Sequence, residues 1–119
     1  DIAACVVADG KIIAALNDAI QPKIDVTVAG VPTAQEFKGT KRELKEGYNM
    51  AAYGAPNVEG GTVKEWYIQS KAFSEYVVGK TATEIKALCA ADNYGTDEAK
   101  TAGCTILVNG LTKAAAKIG

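Results

Sequence analysis

Apolar residues follow two rhythms along this chain. From Ile2 to Ala8 they run without interruption and include the β-branched Val6 and Val7. Such a run fits a strand buried on both faces, or a very apolar edge strand. Asp9-Gly10 follows. Both central positions of a type I′ turn need positive φ, and Asp-Gly is among the pairs that accept it. A hairpin is therefore predicted, with Lys11 to Asp18 as the return strand and Pro22 as its interruption. Lys23 to Val28 then alternates strictly, with Ile24, Val26 and Val28 on one side and Lys23, Asp25 and Thr27 on the other. That pattern predicts a third, half-buried strand. Residues 2–28 are thus expected to form an antiparallel β-meander, ended by Ala29 to Pro32.

Beyond Pro32 the signals are those of helices. Thr40, Thr62 and Thr81 are each followed three residues later by a glutamate: Glu43, Glu65 and Glu84. This is the capping box, in which the threonine hydroxyl and the glutamate carboxylate satisfy each other's orphan backbone N–H groups. The first box predicts a short helix that stops near Gly47. Residues 50–61 hold Gly54, Pro56, Asn57, Gly60 and Gly61 and are expected to form a loop. The second box opens the longest helix, over residues 62–78, with Val63, Trp66, Tyr67, Ser70, Phe73 and Val77 on one stripe and Gly79 as its stop. The third turns Ile85, Leu88 and Cys89 inward. Asp92 to Gly95 is a turn, and Thr96-Asp97-Glu98 starts a further short helical turn with acids suited to the helix dipole. A last helix is expected over Ile106 to Ile118, with Gly110 weakening its middle by about 1 kcal/mol relative to alanine. The fold class is α+β, a single domain over residues 1–119 in which an N-terminal antiparallel β-meander packs against C-terminal helices. The sheet face of Ile24, Val26 and Val28 should meet Trp66, Phe73, Val77, Ile85 and Leu88.

Composition narrows the chemistry. The chain of 119 residues contains no histidine. That removes Ser-His and Cys-His dyads, imidazole acid–base chemistry and histidine metal ligation. Cys5, Cys89 and Cys104 form no Cys-x-x-Cys, so a zinc knuckle, an iron–sulfur site and a thioredoxin-type motif are not expected. Buried, inert thiols are the plainer reading for Cys5 and Cys89. Cys104 precedes the expected last helix, whose dipole would lower its pKa. The formal net charge is −1, and Lys41-Arg42 is the one pair of adjacent basic residues. No basic stripe exists to neutralise phosphates, so nucleic acid is not an expected partner. The run from Ile2 to Ala8 is far too short for a membrane span. The chain opens almost directly on strand-like sequence, as at a processed or trimmed boundary.

Candidate site residues gather where elements break. Asp18 and Gln21 flank the end of the second strand and could bind a polar ligand. The plainer role for Asp18 is turn chemistry, bonding nearby backbone amides. Lys41, Tyr48 and Met50 surround the first short helix. Tyr48 could stack on a planar ligand, or with Met50 form a lid over the core. Glu43 already has a capping role. Trp66 could be a stacking platform, although a tryptophan on an apolar stripe usually belongs to the core. Gln69, one turn further on, could order a polar contact at the rim. Gly79-Lys80-Thr81 looks like the tail of a phosphate loop, but Ser74 stands where the first glycine is needed and the context is helix to helix. A stop at Gly79 and a cap at Thr81 fit better.

Two stretches carry a family resemblance. Val6 to Ile12 is similar to the strand, turn and strand that open the FMN-binding domain of exported electron-transfer proteins. Thr101 to Thr105, followed by Leu111 and an alanine-rich helix, resembles their closing segment. There an acid, two residues, Ser/Thr, Gly, Ala and Thr/Ser precede a helix, and the threonine accepts the flavin phosphate covalently. Thr105 falls on the acceptor and Gly103 on the glycine. Cys104 stands where the family has alanine, Ala102 where it has serine, and Ala99 where the acid belongs. The middle of the chain, with Thr40, Lys41, Glu43, Leu44, Tyr48, Met50, Glu65 to Tyr67, Gln69 and Gly79 to Thr81, resembles exported lipoproteins of anaerobic Firmicutes, a flavin-free branch of that fold. The resemblance implies an extracytoplasmic module, membrane-anchored through a segment outside this chain and without a cofactor. Its implied role is non-catalytic binding of a small ligand or a cell-surface protein beside a surface electron-transfer system. The alternative is a flavin-carrying electron-transfer domain with FMN at Thr105. On the first reading Thr105 is unmodified and caps the last helix. Oligomeric state is left open.

Overall fold

The computed structural model describes residues 1–22, 24–33, 37–53 and 64–117. Strands β1 (Ile2–Ala8) and β2 (Lys11–Asp18) form an antiparallel hairpin. Its tip has φ of 50° at Asp9 and 72° at Gly10, as a type I′ turn requires. Pairing runs regularly from Ile2↔Asp18 to Val6↔Ala14 and then jumps to Val7↔Ile12. Ile13 is left over, so β2 carries a β-bulge. Ile12, just before it, makes a second pair of backbone bonds outside the sheet: its N–H donates to the Lys80 carbonyl at 3.0 Å, and its carbonyl accepts from the Gly79 N–H at 2.7 Å. The very apolar edge is the version of β1 that the structure contains. Ile2, Val6 and Val7 are all exposed.

The expected third strand is not part of this sheet. Residues 24, 25, 27 and 28 lie outside any strand, and Val26 makes one isolated bridge, to Pro32. Pro32 has no N–H to extend a ladder. Thr27 and Val31, with Asp25 and Thr33, close the segment on itself instead. Ile24, Val26 and Val28 are accordingly 60%, 59% and 110% exposed, so the face assigned to the core faces outward. Lys23 lies outside the described residues.

The helices are α1 (Lys41–Leu44), α2 (Trp66–Tyr76), α3 (Ala82–Lys86), α4 (Asp97–Thr101) and α5 (Asn109–Ala115). Two 3-10 turns, Lys45–Tyr48 and Met50–Tyr53, follow α1. The capping boxes at Thr40–Glu43 and Thr81–Glu84 are both present, with both reciprocal bonds. The second box, expected at Thr62 and Glu65, is different. Glu65 is the N-cap residue of α2, and its carboxylate accepts from the Met50 N–H at 3.1 Å; Thr62 lies outside the described residues. Helix α2 is the longest of the five, and Gly79 after it has φ of 83°, the left-handed conformation of a helix stop. Thr96 stands at the N-cap of α4 but bonds the Glu98 carboxylate rather than a backbone N–H.

The last helix starts later than expected, at Asn109 with Val108 as its N-cap. The reason is local competition for donors. The N–H of Thr105 goes to the Gln69 side chain and that of Val108 to the Asn93 carbonyl, while Leu107 bridges Tyr94. Leu107 is exposed. Ile118 lies outside the described residues.

The helical half of the expected core is in place: Trp66, Phe73, Val77, Ile85 and Leu88 are all buried. On the sheet side they meet Ile12, with Ala3, Cys5 and Ala15 partly buried around it. A polar seam joins β2 to α2. The Asn17 N–H and Nδ2 both donate to Ser74 Oγ, at 3.0 and 3.1 Å, and the Ser70 hydroxyl donates to the Asn17 carbonyl. The architecture is therefore a two-stranded antiparallel sheet packed against helices, an α+β arrangement. No described helix is long and apolar enough to cross a membrane.

Candidate functional site

A cavity of about 480 Å³ opens where the end of β2 meets the start of α1, the start of α2 and the residues leading into α5. The route to it begins in α1. Thr40 and Glu43 fix the first turn through their box. The Lys41 N–H donates to the Ala19 carbonyl at 2.8 Å, and the Arg42 N–H to Asp18 Oδ1 at 3.2 Å. Asp18 also accepts from the Ala19 N–H at 2.8 Å. It thus ties α1 to the strand end, the turn chemistry that its position suggested, and it does not line the cavity.

The other five candidates do line it: Gln21, Lys41, Tyr48, Trp66 and Gln69. The Lys41 ammonium sits between two aromatic rings, 4.8 Å from the centre of Tyr48 and 5.2 Å from that of Trp66. Ring faces attract a cation through their quadrupoles. Burial pushes the Lys41 pKa below the ordinary lysine value, and the Asp18 carboxylate partly restores it. The Tyr48 phenol donates to Gln21 Oε1 at 2.7 Å, closing one side of the opening. Trp66 and Met50 are both buried, so each serves the core and the cavity wall together.

Gln69 is buried rather than at a rim, and both ends of its amide are engaged. Its Oε1 accepts from both the N–H and the hydroxyl of Thr105, each at 2.8 Å, and its Nε2 donates to the Lys64 carbonyl at 2.8 Å. Thr105 lines the cavity, but it is not a helix cap. Its hydroxyl is held by a side chain distant in sequence, which is why the residues around it do not reveal its role. Thr105→Ala should cost about 0.5–1.5 kcal/mol, because Oε1 keeps its backbone donor. Gln69→Leu should cost about 1–3 kcal/mol, since it strands that N–H and the Lys64 carbonyl. Urea titrations of both single variants and the double variant check this. The double should cost less than the sum, whereas independent contributions would simply add.

Cys104 also departs from expectation. It follows α4 instead of preceding a helix, and it is fully buried. Burial pushes its thiol up to about 11, outweighing a backbone hydrogen bond that acts the other way. A thiol that holds its proton so tightly is a poor nucleophile near neutrality. Among the described residues no three His, Cys, Asp or Glu side chains gather as metal ligands would.

Tyr94, Asn109 and Asp1 complete the polar wall and were not marked in the sequence. Tyr94 belongs to the Asp92 to Gly95 turn, where the one available signal was an aromatic residue in an otherwise polar turn. Set beside protein-family models, curated proteins and solved structures, the chain matches none of them.

Proposed function

We propose that this chain is a non-catalytic extracytoplasmic binding module that takes one small ligand in this cavity. It would be a flavin-free variant of an FMN-binding-like domain, working beside a surface electron-transfer system. The observation that carries the binding role is the convergence of six separated stretches of chain on one cavity, with a lysine held between two aromatic rings at its wall. A cavity of this size lies within the range of small-molecule sites, about 300–1,000 Å³. The family name and the extracytoplasmic placement rest on the resemblance alone. The flavin-carrying alternative has one observation in its favour, the presence of Thr105 on the cavity wall. Against it, the Thr105 hydroxyl donates its proton to Gln69, and a phosphoester at that oxygen would remove the proton.

The test uses protein purified from its native source. Native mass spectrometry should show the chain with a small molecule that dissociates on denaturation, and the denatured chain should have its unmodified mass. A mass gain matching one FMN phosphoester, lost in Thr105→Ala, would replace this reading with the electron carrier. A chain that neither carries a ligand nor is stabilised by any fraction of a metabolite extract would defeat the binding role.

A further inference from the structure

The hydrogen-bond accounting of the cavity wall goes further than its volume. On the wall beside Lys41, the two glutamine carbonyl oxygens are already taken. Gln69 Oε1 takes two bonds from Thr105, and Gln21 Oε1 takes the Tyr48 phenol. Donors are left over. Among the described residues no carboxylate lies within ion-pair distance of the Lys41 ammonium, and no oxygen accepts a hydrogen bond from it. The ring faces attract its charge but accept none of its three N–H groups in the way an oxygen does. The amide nitrogen of Gln21 stands on the same wall. We infer that the cavity takes its ligand by a monoanionic carboxylate, seated on the Lys41 ammonium, with a planar ring filling the aromatic part of the cavity.

This rests on the binding-module reading and names the ligand class for the same site. The choice of a carboxylate over a phosphate follows from charge. Among the described residues Lys41 is the one cationic side chain on the wall, and Asp1 is also there, its carboxylate against Gly110. A dianionic group would leave excess negative charge in a partly desolvated site, which is costly. A monoanion adds the smaller charge and can still bond the Lys41 ammonium directly, and hydrogen bonds to charged groups are the strong ones.

Trp66 is the one tryptophan of the chain and lines the cavity, so its fluorescence reports occupancy. The experiment titrates the full chain with benzoate, benzamide and phenyl phosphate, and repeats this on Lys41→Gln and Lys41→Arg. Benzoate should saturate the signal and bind at least about tenfold tighter than benzamide, the factor expected of a charge-assisted hydrogen bond. Phenyl phosphate should bind more weakly than benzoate. Lys41→Gln should erase the preference for benzoate, and Lys41→Arg should keep it. Equal binding of benzoate and benzamide to the wild-type chain would overturn the carboxylate assignment while leaving the cavity a binding site. Tightest binding of phenyl phosphate would overturn the monoanion. A benzoate preference that survives in Lys41→Gln would overturn the role of Lys41. Absence of saturation by all three probes would defeat the inference, whereas the binding-module reading would still be judged by the native ligand. Should Lys41→Gln fail to fold, the comparison of the three probes on the wild-type chain still decides between charge and no charge.

Discussion

Phe73→Ala is expected to destabilise the fold by about 4–5 kcal/mol, the upper part of the range for removing a buried aromatic ring. Phe73 is 0% exposed, in the middle of α2, with Ser70 and Ser74 beside it bonded to β2. Those polar bonds hold the helix at a fixed distance from the hairpin. The structure therefore cannot close over the space the ring leaves, and residual cavity volume is what raises the cost of such substitutions. A urea titration followed by far-ultraviolet circular dichroism measures it. A loss below about 2 kcal/mol would mean that the seam yields and the core collapses around alanine.

Trp66→Ala should cost about 3 kcal/mol, the lower end of the same range, although tryptophan is the larger side chain. Trp66 is 5% exposed, but one side of it faces the cavity. The space left by its ring would join an opening that already exists, so less sealed void is created. The loss of a ring face for Lys41 adds a smaller term. The same titration tests the order of the two variants. A greater loss for Trp66→Ala than for Phe73→Ala would show that Trp66 is held as tightly as the interior of the core. A loss below about 1 kcal/mol would leave the ring a ligand platform with little structural weight.

What was legible in the sequence was what short-range chemistry decides. The Asp9-Gly10 turn and the boxes at Thr40 and Thr81 need only neighbouring residues, and each is present. The stripe of α2 was legible because its period is local. Over residues 24–28, alternation shows that a strand could form but not what it would pair with. The one bridge partner there is Pro32, which cannot continue a ladder. The start of α5 was misread for a related reason. Gly103-Cys104-Thr105 before an apolar run looks like a helix entry, yet Gln69 and Asn93 take the backbone N–H groups from outside. At the cavity, Gln21, Lys41, Tyr48, Trp66 and Gln69 each stand out in the sequence only singly, as polar or aromatic residues near element ends. Their meeting in one place depends on how α1 is tied to Ala19 and Asp18, and no spacing in the chain encodes that.

The bulge in β2 has a consequence for what the hairpin can tolerate. Ile12 and Asn17 are an odd number of positions apart, so in a regular strand they would point to opposite sides of the sheet. The extra residue between them restores the phase. Both are buried, Ile12 bonding through its backbone to the segment after α2 and Asn17 to Ser70 and Ser74 within it. The residue that makes this possible, Ile13, is itself 56% exposed. Position 13 is therefore open to exchange of one side chain for another but closed to deletion. Removing that residue would turn one of the two attachment points away from α2, at a place where the exposure of the side chain suggests that nothing depends on it.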